Sequence, residues 1–171
     1  MIQRLLRLFR HRWMNSAEQT ISSEALTRLT QRVSANEYAN SGEIRICIEA
    51  GLPNHVLLQA DDLRTLIRQR AVFQFGALGV WDTENNNGVL IYLLLAERAI
   101  ELVADRGITS RVSPDQWQEM VGRLGAALHD GRFEEGLSQA VDAVGTLMQM
   151  HFPNQGAATN ANELPDQPSL Q

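Results

Sequence analysis

One apolar run constrains the fold of this chain more than any other feature of its sequence. Residues 89 to 96 read VLIYLLLA, and a polar, turn-forming stretch from Trp81 to Gly88 precedes them. A strand with one wet face alternates apolar and polar residues, whereas a continuous short run indicates a strand covered on both faces. The run therefore predicts a central strand with a layer of helices on each side.

Two neighbouring segments are predicted to pair with this strand. Residues 96 to 98 leave room for nothing but a tight reversal, so residues 98 to 105 are expected to return antiparallel beside it. Residues 43 to 50 alternate strictly, which is the two-residue period of a strand, with three isoleucines on one face: Ile44, Ile46 and Ile48. The predicted strands are therefore about 43–50, 88–96 and 98–105.

Helical periodicity fills the rest of the predicted domain. Apolar residues recur at helical spacing from Ser22 or Ser23 to about Asn40 and from Asp61 to about Leu78. Two further helices follow, one that begins at Ser113 and one that runs from Phe133 to about Phe152. Strands and helices in this order predict the α/β class, as a three-layer α/β/α sandwich with a small mixed sheet and helices on both faces.

The start of the third of these helices has a specific signal. Ser113 is a favourable N-cap, Pro114 suits the first helical position, and Gln116 stands three residues after the cap. This spacing predicts a capping box, in which the cap side chain and the glutamine side chain each bond the other residue's backbone N–H.

Composition limits the class of protein. A chain of 171 residues that is 44% hydrophobic fits one globular domain. The single cysteine, Cys47, excludes an internal disulfide, and four scattered histidines do not form a structural zinc ligand set. We expect no secretory signal in residues 1 to 14, and the longest apolar run is far short of the roughly 20 residues that span a bilayer. A cytoplasmic protein, peripheral to the inner membrane if attached to it, is expected.

The charge distribution is uneven. The net charge is -5, yet four arginines precede the first acid, Glu18, so a basic head joins an acidic body. An acidic body without a basic aromatic face argues against nucleic acid as a partner, since phosphates require a cationic surface.

Residues 1 to 16 are predicted to form a basic amphipathic helix. At 100° per residue, one arc holds Ile2, Leu5, Leu6, Phe9 and Trp13, the opposite arc holds Arg4, Arg7 and His11, and Arg10 and Arg12 flank the apolar arc. Such a helix can lie on an anionic membrane, with about 1 kcal/mol gained per cation near the surface. The residues expected to bind a membrane or a partner are Arg4, Arg7, Phe9, Arg10 and Trp13. The alternative is a helix that packs on its own domain.

The other two parts of the chain follow from composition. Residues 17 to 153 hold the predicted strands and helices and form the domain. Residues 154 to 171 have few apolar side chains, no periodicity and two prolines, Pro165 and Pro168. We expect this tail to be disordered.

Several acids are predicted to meet at one edge of the sheet. Asp105 leaves a hairpin strand and Asp82 lies in the loop that enters its partner, so antiparallel pairing brings them to the same end. Asp115 starts the next helix. With Asn87 these acids could supply oxygen ligands to Ca²⁺ or Mg²⁺, and Arg106 would then be the nearest cationic side chain for a phosphate.

A purely structural interpretation of the same residues stays open. An acid such as Asp115 in the first turn of a helix is favoured by the helix dipole, and Asp82 can cap a loop. No glycine-rich phosphate loop, no Gly-x-Ser-x-Gly and no paired histidines at ligand spacing occur in the chain.

The order of these segments resembles the TPM domain family, and more narrowly its short bacterial members. The segments that carry the resemblance are Asn87-Gly88-Val89-Leu90-Ile91, Val103-Ala104-Asp105-Arg106-Gly107-Ile108, His151-Phe152-Pro153, Arg10-His11-Arg12-Trp13, Ser41-Gly42-Glu43-Ile44-Arg45 and Asn162-Glu163-Leu164-Pro165-Asp166. The resemblance covers roughly Ser22 to Pro153. Longer members usually have Gly-x-Gly-Leu-Glu where this chain has residues 105 to 109, and often an acid where it has Asn86.

The resemblance implies a Rossmann-like α/β/α sandwich and two candidate functions. Bacterial members are mostly uncharacterised and are often encoded beside LemA-type membrane proteins. The basic amphipathic head and the absence of a catalytic set favour a non-catalytic binding or adaptor domain at the cytoplasmic side of a bacterial membrane. A LemA-type protein or a longer TPM-domain protein is then the expected partner. Some plant members are described as acid phosphatases that use a divalent cation, which implies hydrolysis of phosphomonoesters as the alternative. For that activity, the residues that strand pairing groups at the sheet edge would act: Asp105 and Arg106 as catalytic residues and Asp82, Asp105 and Asp115 as metal ligands.

Overall fold

A computed structural model describes residue 11, residues 16 to 153 and residues 162 to 171. Its elements in chain order are α1 (Ala17–Thr20), α2 (Ser23–Ala39), β1 (Glu43–Glu49), α3 (Asn54–Leu57), α4 (Leu63–Ala77), β2 (Gly88–Leu94), β3 (Ala99–Ala104), α5 (Arg106–Thr109), α6 (Pro114–His129), α7 (Phe133–His151) and β4 (Ser169–Leu170). A short 3₁₀ turn, Leu95–Glu97, joins β2 to β3.

The sheet confirms the predicted position of the apolar run. The strand order is β3-β2-β1-β4, with β1 parallel to β2 and to β4 and β2 antiparallel to β3. All seven residues of β2 are buried. The strand ends at Leu94, earlier than the predicted Ala96, because the chain turns there and Arg98 adopts a left-handed backbone with φ 49° to reverse direction.

Helices cover both faces of the sheet, so the three-layer α/β/α architecture is confirmed. On one face α2, α6 and α7 pack on the even-numbered residues of β1 and the odd-numbered residues of β2. On the other face α4 packs on Cys47, Leu90 and Tyr92. Burial of apolar side chains on both faces supplies the main stabilisation of the domain.

The predicted helix starts are confirmed by their caps. The Ser22 side chain accepts a hydrogen bond from Ala25 N, and the Asp62 side chain accepts one from Thr65 N. The Ser113 hydroxyl accepts from Gln116 N at 3.3 Å, while Gln116 Oε1 accepts from Ser113 N at 3.0 Å. Each cap satisfies backbone N–H groups that the helix itself leaves without acceptors.

The second face of β1 is polar in sequence and yet buried. Glu49 accepts hydrogen bonds from Arg70 of α4 at 2.7 and 2.9 Å and from the Tyr92 hydroxyl at 2.8 Å. Cys47 lies between them without exposure, and burial raises the pKa of its thiol to about 12. Glu49 is therefore paired inside the domain, and Cys47 is a packed residue.

The prediction that residues 154 to 171 are disordered is wrong for residues 162 to 171. β4 pairs with Cys47 and Ile48 of β1, and Gln171 N donates to Ile48 O at 2.9 Å. Arg45 donates to the carbonyl oxygen atoms of Pro165 and Gln167. The segment is held by backbone pairing and one arginine, interactions that produce no apolar period in the sequence. Residues 154 to 161 lie outside the described part of the chain.

The predicted membrane- or partner-binding residues Arg4, Arg7, Phe9, Arg10 and Trp13 lie outside the described residues. His11, which the helical plot placed on the polar arc, is buried with 8% exposure. Its Nδ1 accepts from Leu52 N at 3.0 Å and its Nε2 contacts Glu97 Oε1 at 2.8 Å. Across residues 16 to 153 and 162 to 171, none of the helices has the length and apolar character to cross a bilayer.

Candidate functional site

Three polar residues lie where neighbouring strands begin or end. Glu43 opens β1, Asn87 immediately precedes β2, and Asp105 immediately follows β3. Glu43 N donates to Asn87 O at 3.4 Å, and Asp105 N donates to Gly88 O at 3.0 Å. Glu43, Asn87 and Asp105 therefore occupy one end of the sheet, which we call the polar edge.

Each residue of the polar edge has a buried side-chain oxygen without a hydrogen-bond partner. These atoms are Glu43 Oε1, Asn87 Oδ1 and Asp105 Oδ2. Glu43 and Asn87 have no exposed surface, and Asp105 has 8%. An unsatisfied buried acceptor costs about 1 to 3 kcal/mol, so each atom favours any ligand that brings a donor or a positive charge.

Asp105 is partly committed to local structure. Its Oδ1 accepts a hydrogen bond from Arg106 N at 2.6 Å, as the N-cap of the short helix α5. The Arg106 side chain is exposed. One carboxylate oxygen of Asp105 therefore remains for a ligand, and Arg106 stands beside it at the surface.

The other two predicted metal ligands lie apart from this arrangement. Asp82 is exposed in the turn before β2, where its N–H bonds Gly79 O at 2.9 Å. Asp115 is exposed in the first turn of α6. Within residues 16 to 153 and 162 to 171, no group of three or more His, Cys, Asp or Glu side chains is placed to hold a metal ion. The structure does not bring Asp82, Asp105 and Asp115 together, and cation binding stays a prediction.

The loops of the polar edge pack closely at Asn86 and Gly107. Gly107 N donates to Asn86 O at 3.0 Å. A Cβ at Gly107 would lie 2.5 Å from that carbonyl oxygen, so only glycine permits this approach. Asn86 has φ 51°, a left-handed conformation that asparagine tolerates well. The loop before β2 and helix α5 are thus fixed against each other.

Two neutral polar residues, Asn86 and Thr109, belong to the segments that this contact joins. Asn86 contributes its backbone carbonyl to Gly107, two residues before Thr109. The Thr109 hydroxyl donates to Arg106 O at 3.4 Å and is exposed. At these two positions the chain therefore has an amide and a hydroxyl, which carry no charge.

A second group of acids surrounds the start of β1. Burial raises the pKa of Glu37 to about 9, and the nearby Glu43 and Asp166 carboxylates raise it further. Glu37 Oε1 also accepts a hydrogen bond from Ile44 N at 2.7 Å, which opposes the increase in pKa. Burial likewise raises the pKa of Glu43, whose Oε2 accepts from Leu164 N at 3.2 Å. These acids hold the C-terminal segment against β1.

The structure also forms a polar pocket that sequence spacing did not indicate. The pocket measures about 400 Å³ and is lined by Ser41, Asn85, Arg111, His151, Phe152 and Pro153. It lies at the same end of the sheet as the polar edge, because Asn87 Nδ2 donates to Ser41 O at 2.6 Å. Arg111 and His151 are forty positions apart, so no local motif connects them.

Comparison with known proteins agrees with this architecture. The model of the TPM domain matches residues 14 to 147. The chain is similar to the BA42 protein of the psychrophilic bacterium Bizionia argentinensis, solved by NMR, with a TM-score of 0.75 and 25% identity over 91% of this chain and 99% of that one. No curated protein matches the chain.

Proposed function

Since the chain belongs to the TPM domain family, we propose that it acts as a non-catalytic binding domain. The observation that carries this proposal is the neutral chemistry of the contact between the loop before β2 and α5. Asn86 and Thr109 stand at the two positions where the resemblance leads us to expect acids. Without those acids, Asp105 contributes one free carboxylate oxygen beside the neutral amide of Asn87.

Such a ligand set fits a catalytic metal poorly. Ca²⁺ and Mg²⁺ sites take several oxygen ligands, and their affinity rises with the number of carboxylates. The unpartnered oxygens of the polar edge belong to Asp105, Asn87 and Glu43. Glu43 Oε2 is engaged by the C-terminal segment, and burial raises the pKa of Glu43, which favours its neutral form over the carboxylate. A cation bound there could polarise a phosphate oxygen, but two neutral side chains in place of acids leave too little negative charge to hold it firmly.

Restoring the two acids tests this account. The double variant Asn86→Asp/Thr109→Glu is expected to gain a cation site, so that millimolar Ca²⁺ raises its Tm by about 4 °C or more, because a ligand that binds only the native state stabilises it. The wild type is expected to shift by about 1 °C or less under the same conditions. Differential scanning calorimetry with and without EDTA measures both.

A matched control separates site formation from added charge. The variant Gln69→Glu/Gln118→Glu adds the same two charges at exposed helix positions away from the polar edge. We expect it to behave like the wild type. The proposal is contradicted if the wild type already gains several degrees with Ca²⁺ or Mg²⁺ and Asp105→Asn abolishes the gain.

That contrary result would support the second candidate, a divalent-cation-dependent hydrolase of phosphomonoesters. Two observations favour it: the buried, unpartnered Asp105 Oδ2 and Asn87 Oδ1, and the exposed Arg106 next to Asp105. In that case Asp105 and Asn87 would hold the ion, and the Arg106 guanidinium would contact the phosphate. Asparagine at position 105 keeps the N-cap of α5, so the variant isolates the carboxylate.

The binding domain is further proposed to act as an adaptor at the cytoplasmic face of a membrane, with a LemA-type protein or a longer TPM-domain protein as its partner. The basic amphipathic sequence of residues 1 to 16 supports this role. His11 attaches that segment to Leu52 and Glu97, beyond the C-terminal ends of β1 and β2. The polar edge lies at the opposite end of the sheet, so attachment through the head would leave it accessible.

Co-sedimentation with anionic vesicles tests the attachment. Arg7→Glu is expected to weaken binding to vesicles that contain phosphatidylserine by about tenfold or more, because it replaces a favourable charge of about 1 kcal/mol with an unfavourable one. Arg64→Glu, on exposed surface of α4, is the control and should change binding little. An equal loss of vesicle binding in both variants would indicate a general effect of charge. If the wild type does not bind the vesicles, the proposed attachment to a membrane is wrong.

A further inference from the structure

We propose that the pocket formed by Ser41, Asn85, Arg111, His151, Phe152 and Pro153 binds a small oxyanion group, a phosphate or a carboxylate. We call it the Arg111 pocket. It has a volume of about 400 Å³ and no acidic residue in its lining. In a chain with a net charge of -5, a pocket whose lining contains an arginine and a histidine and no acid favours an anionic ligand.

The Arg111 guanidinium is held in a defined orientation. Its central carbon lies 4.1 Å from the centre of the Phe152 ring, which covers one face of the group. Its Nη1 donates to His151 O at 2.8 Å. Among the described residues, the two remaining guanidinium nitrogens have no hydrogen-bond partner and Arg111 has no carboxylate within ion-pair distance. A planar guanidinium that is fixed in this way can bind a phosphate or carboxylate with two parallel hydrogen bonds.

The backbone around the pocket is fixed as well. Ser41 N donates to Phe152 O at 3.0 Å, and Asn40 and Pro153 form an isolated antiparallel bridge. These contacts join the end of α2 to the end of α7. The Ser41 hydroxyl, the Asn85 side chain and the His151 ring are the additional hydrogen-bonding groups of the lining. The Ser41 hydroxyl also lies 3.5 Å from Phe152 O, to which it donates. The site thus combines an oriented guanidinium with polar side chains on a fixed backbone frame, which lowers the entropy lost on binding.

This inference goes beyond the proposed binding role, because it assigns a ligand class to a pocket separate from the polar edge. It does not depend on a metal. The titrations are therefore made on protein from which metal ions have been removed with a chelating resin, so that a failure here and a failure of the argument about Asn86 and Thr109 remain distinguishable.

The test is an NMR titration of the full chain with inorganic phosphate and, separately, with acetate. Saturable shifts of the Arg111 Nε–H and His151 ring signals with one or both anions are expected. Phosphate alone would identify a phosphate site, acetate alone a carboxylate site, and both a general oxyanion site. Absence of saturable shifts at these two residues with both anions would overturn the proposal.

Variants locate the binding. Arg111→Gln is expected to weaken the anion affinity by about tenfold or more, since it removes a charge-assisted, bidentate contact. His151→Gln should weaken it to a smaller extent and keeps the backbone carbonyl that holds Arg111. Arg64→Gln removes an exposed arginine elsewhere and should leave the affinity within about twofold. Circular dichroism confirms folding of each variant, and an unchanged affinity in both folded pocket variants would overturn the assignment.

Discussion

At the scale of single residues, the most consequential feature is the burial of charge on one face of the sheet. Glu49 and Arg70 have side chains that are 4% and 13% exposed, and the Tyr92 hydroxyl donates a further hydrogen bond to the same carboxylate. A buried pair of this kind need not stabilise more than apolar residues would, but removing one partner leaves the other charge uncompensated. Its role is to fix α4 on β1 and β2.

The first prediction at this scale concerns Glu49. Glu49→Gln should lower the free energy of unfolding by about 3 kcal/mol, because Arg70 loses its buried counter-ion. Urea unfolding followed by circular dichroism measures the change. Glu101→Gln is the matched control. Glu101 of β3 pairs at 3.3 Å with Arg68 of α4, the helix that also contains Arg70, but this pair is more exposed. That variant should cost less than about 1 kcal/mol. Similar losses in the two variants would contradict the account.

Individual residues also show where the sequence could not predict the site. Asp105 and Asn87 were expected at one edge because strand pairing alone puts them there. Asp82 and Asp115 were expected at the same edge because their segments end nearby, but both side chains are exposed in a turn and a helix start. The direction of a side chain depends on loop conformation, which strand order does not determine. Arg111 lies between α5 and α6 and His151 lies at the end of α7, so they meet through tertiary packing that leaves no local pattern in the sequence.

At the scale of elements, the four long helices and strands β1, β2 and β3 were predictable and β4 was not. The caps at Ser22, Asp62 and Ser113 and the apolar periods determine the element boundaries to within a few residues. β4 is two residues long and pairs by backbone hydrogen bonds, so it has no measurable period. Its attachment depends on Arg45 and on acids of β1 and α2. The sequence pattern alone predicts that these acidic side chains are exposed to solvent. The C-terminal segment protects the outer edge of β1 from other strands.

The pH dependence of this element gives a second prediction. Burial raises the pKa of Glu37 from its ordinary value of 4.5 to about 9 in the folded chain. Between these two pH values, the folded state therefore holds one more proton than the unfolded state. Stability should therefore fall as pH rises through this window, by at most about 1.4 kcal/mol per pH unit for one proton. Glu37→Gln resembles the protonated acid and should flatten the profile and raise stability at pH 9.

Urea unfolding at pH 6 to 9 distinguishes this effect from others. Surface acids with lowered pKa values, such as Asp62 and Glu134, stabilise the folded state while they are ionised. This stabilisation is lost only as the pH falls toward and below the ordinary pKa of these acids, which is outside the range from pH 6 to 9. Asp62→Asn, which keeps an N-cap, is thus a suitable control and should show the wild-type slope. Parallel profiles for wild type and Glu37→Gln would show that Glu37 does not retain the proton.

At the scale of the whole molecule, the two ends of the sheet differ in chemistry. His11 attaches the N-terminal segment beyond the C-terminal ends of β1 and β2. The polar edge and the Arg111 pocket lie at the other end, where buried unpartnered oxygens stand near a fixed guanidinium. The apolar run was sufficient to predict the three layers, because a strand buried on both faces requires them. The chemistry at the ends depends on loops, and the neutral Asn86 and Thr109 in those loops are the basis of the binding role that we propose.

Turnover of a generic phosphomonoester, such as p-nitrophenyl phosphate with millimolar Mg²⁺ or Ca²⁺, tests that conclusion most directly. The account predicts that the wild-type chain hydrolyses it no faster than Asp105→Asn and that EDTA changes neither rate. Hydrolysis by the wild type that is lost both in EDTA and in the folded Asp105→Asn variant would contradict the account and identify the polar edge as a catalytic metal site.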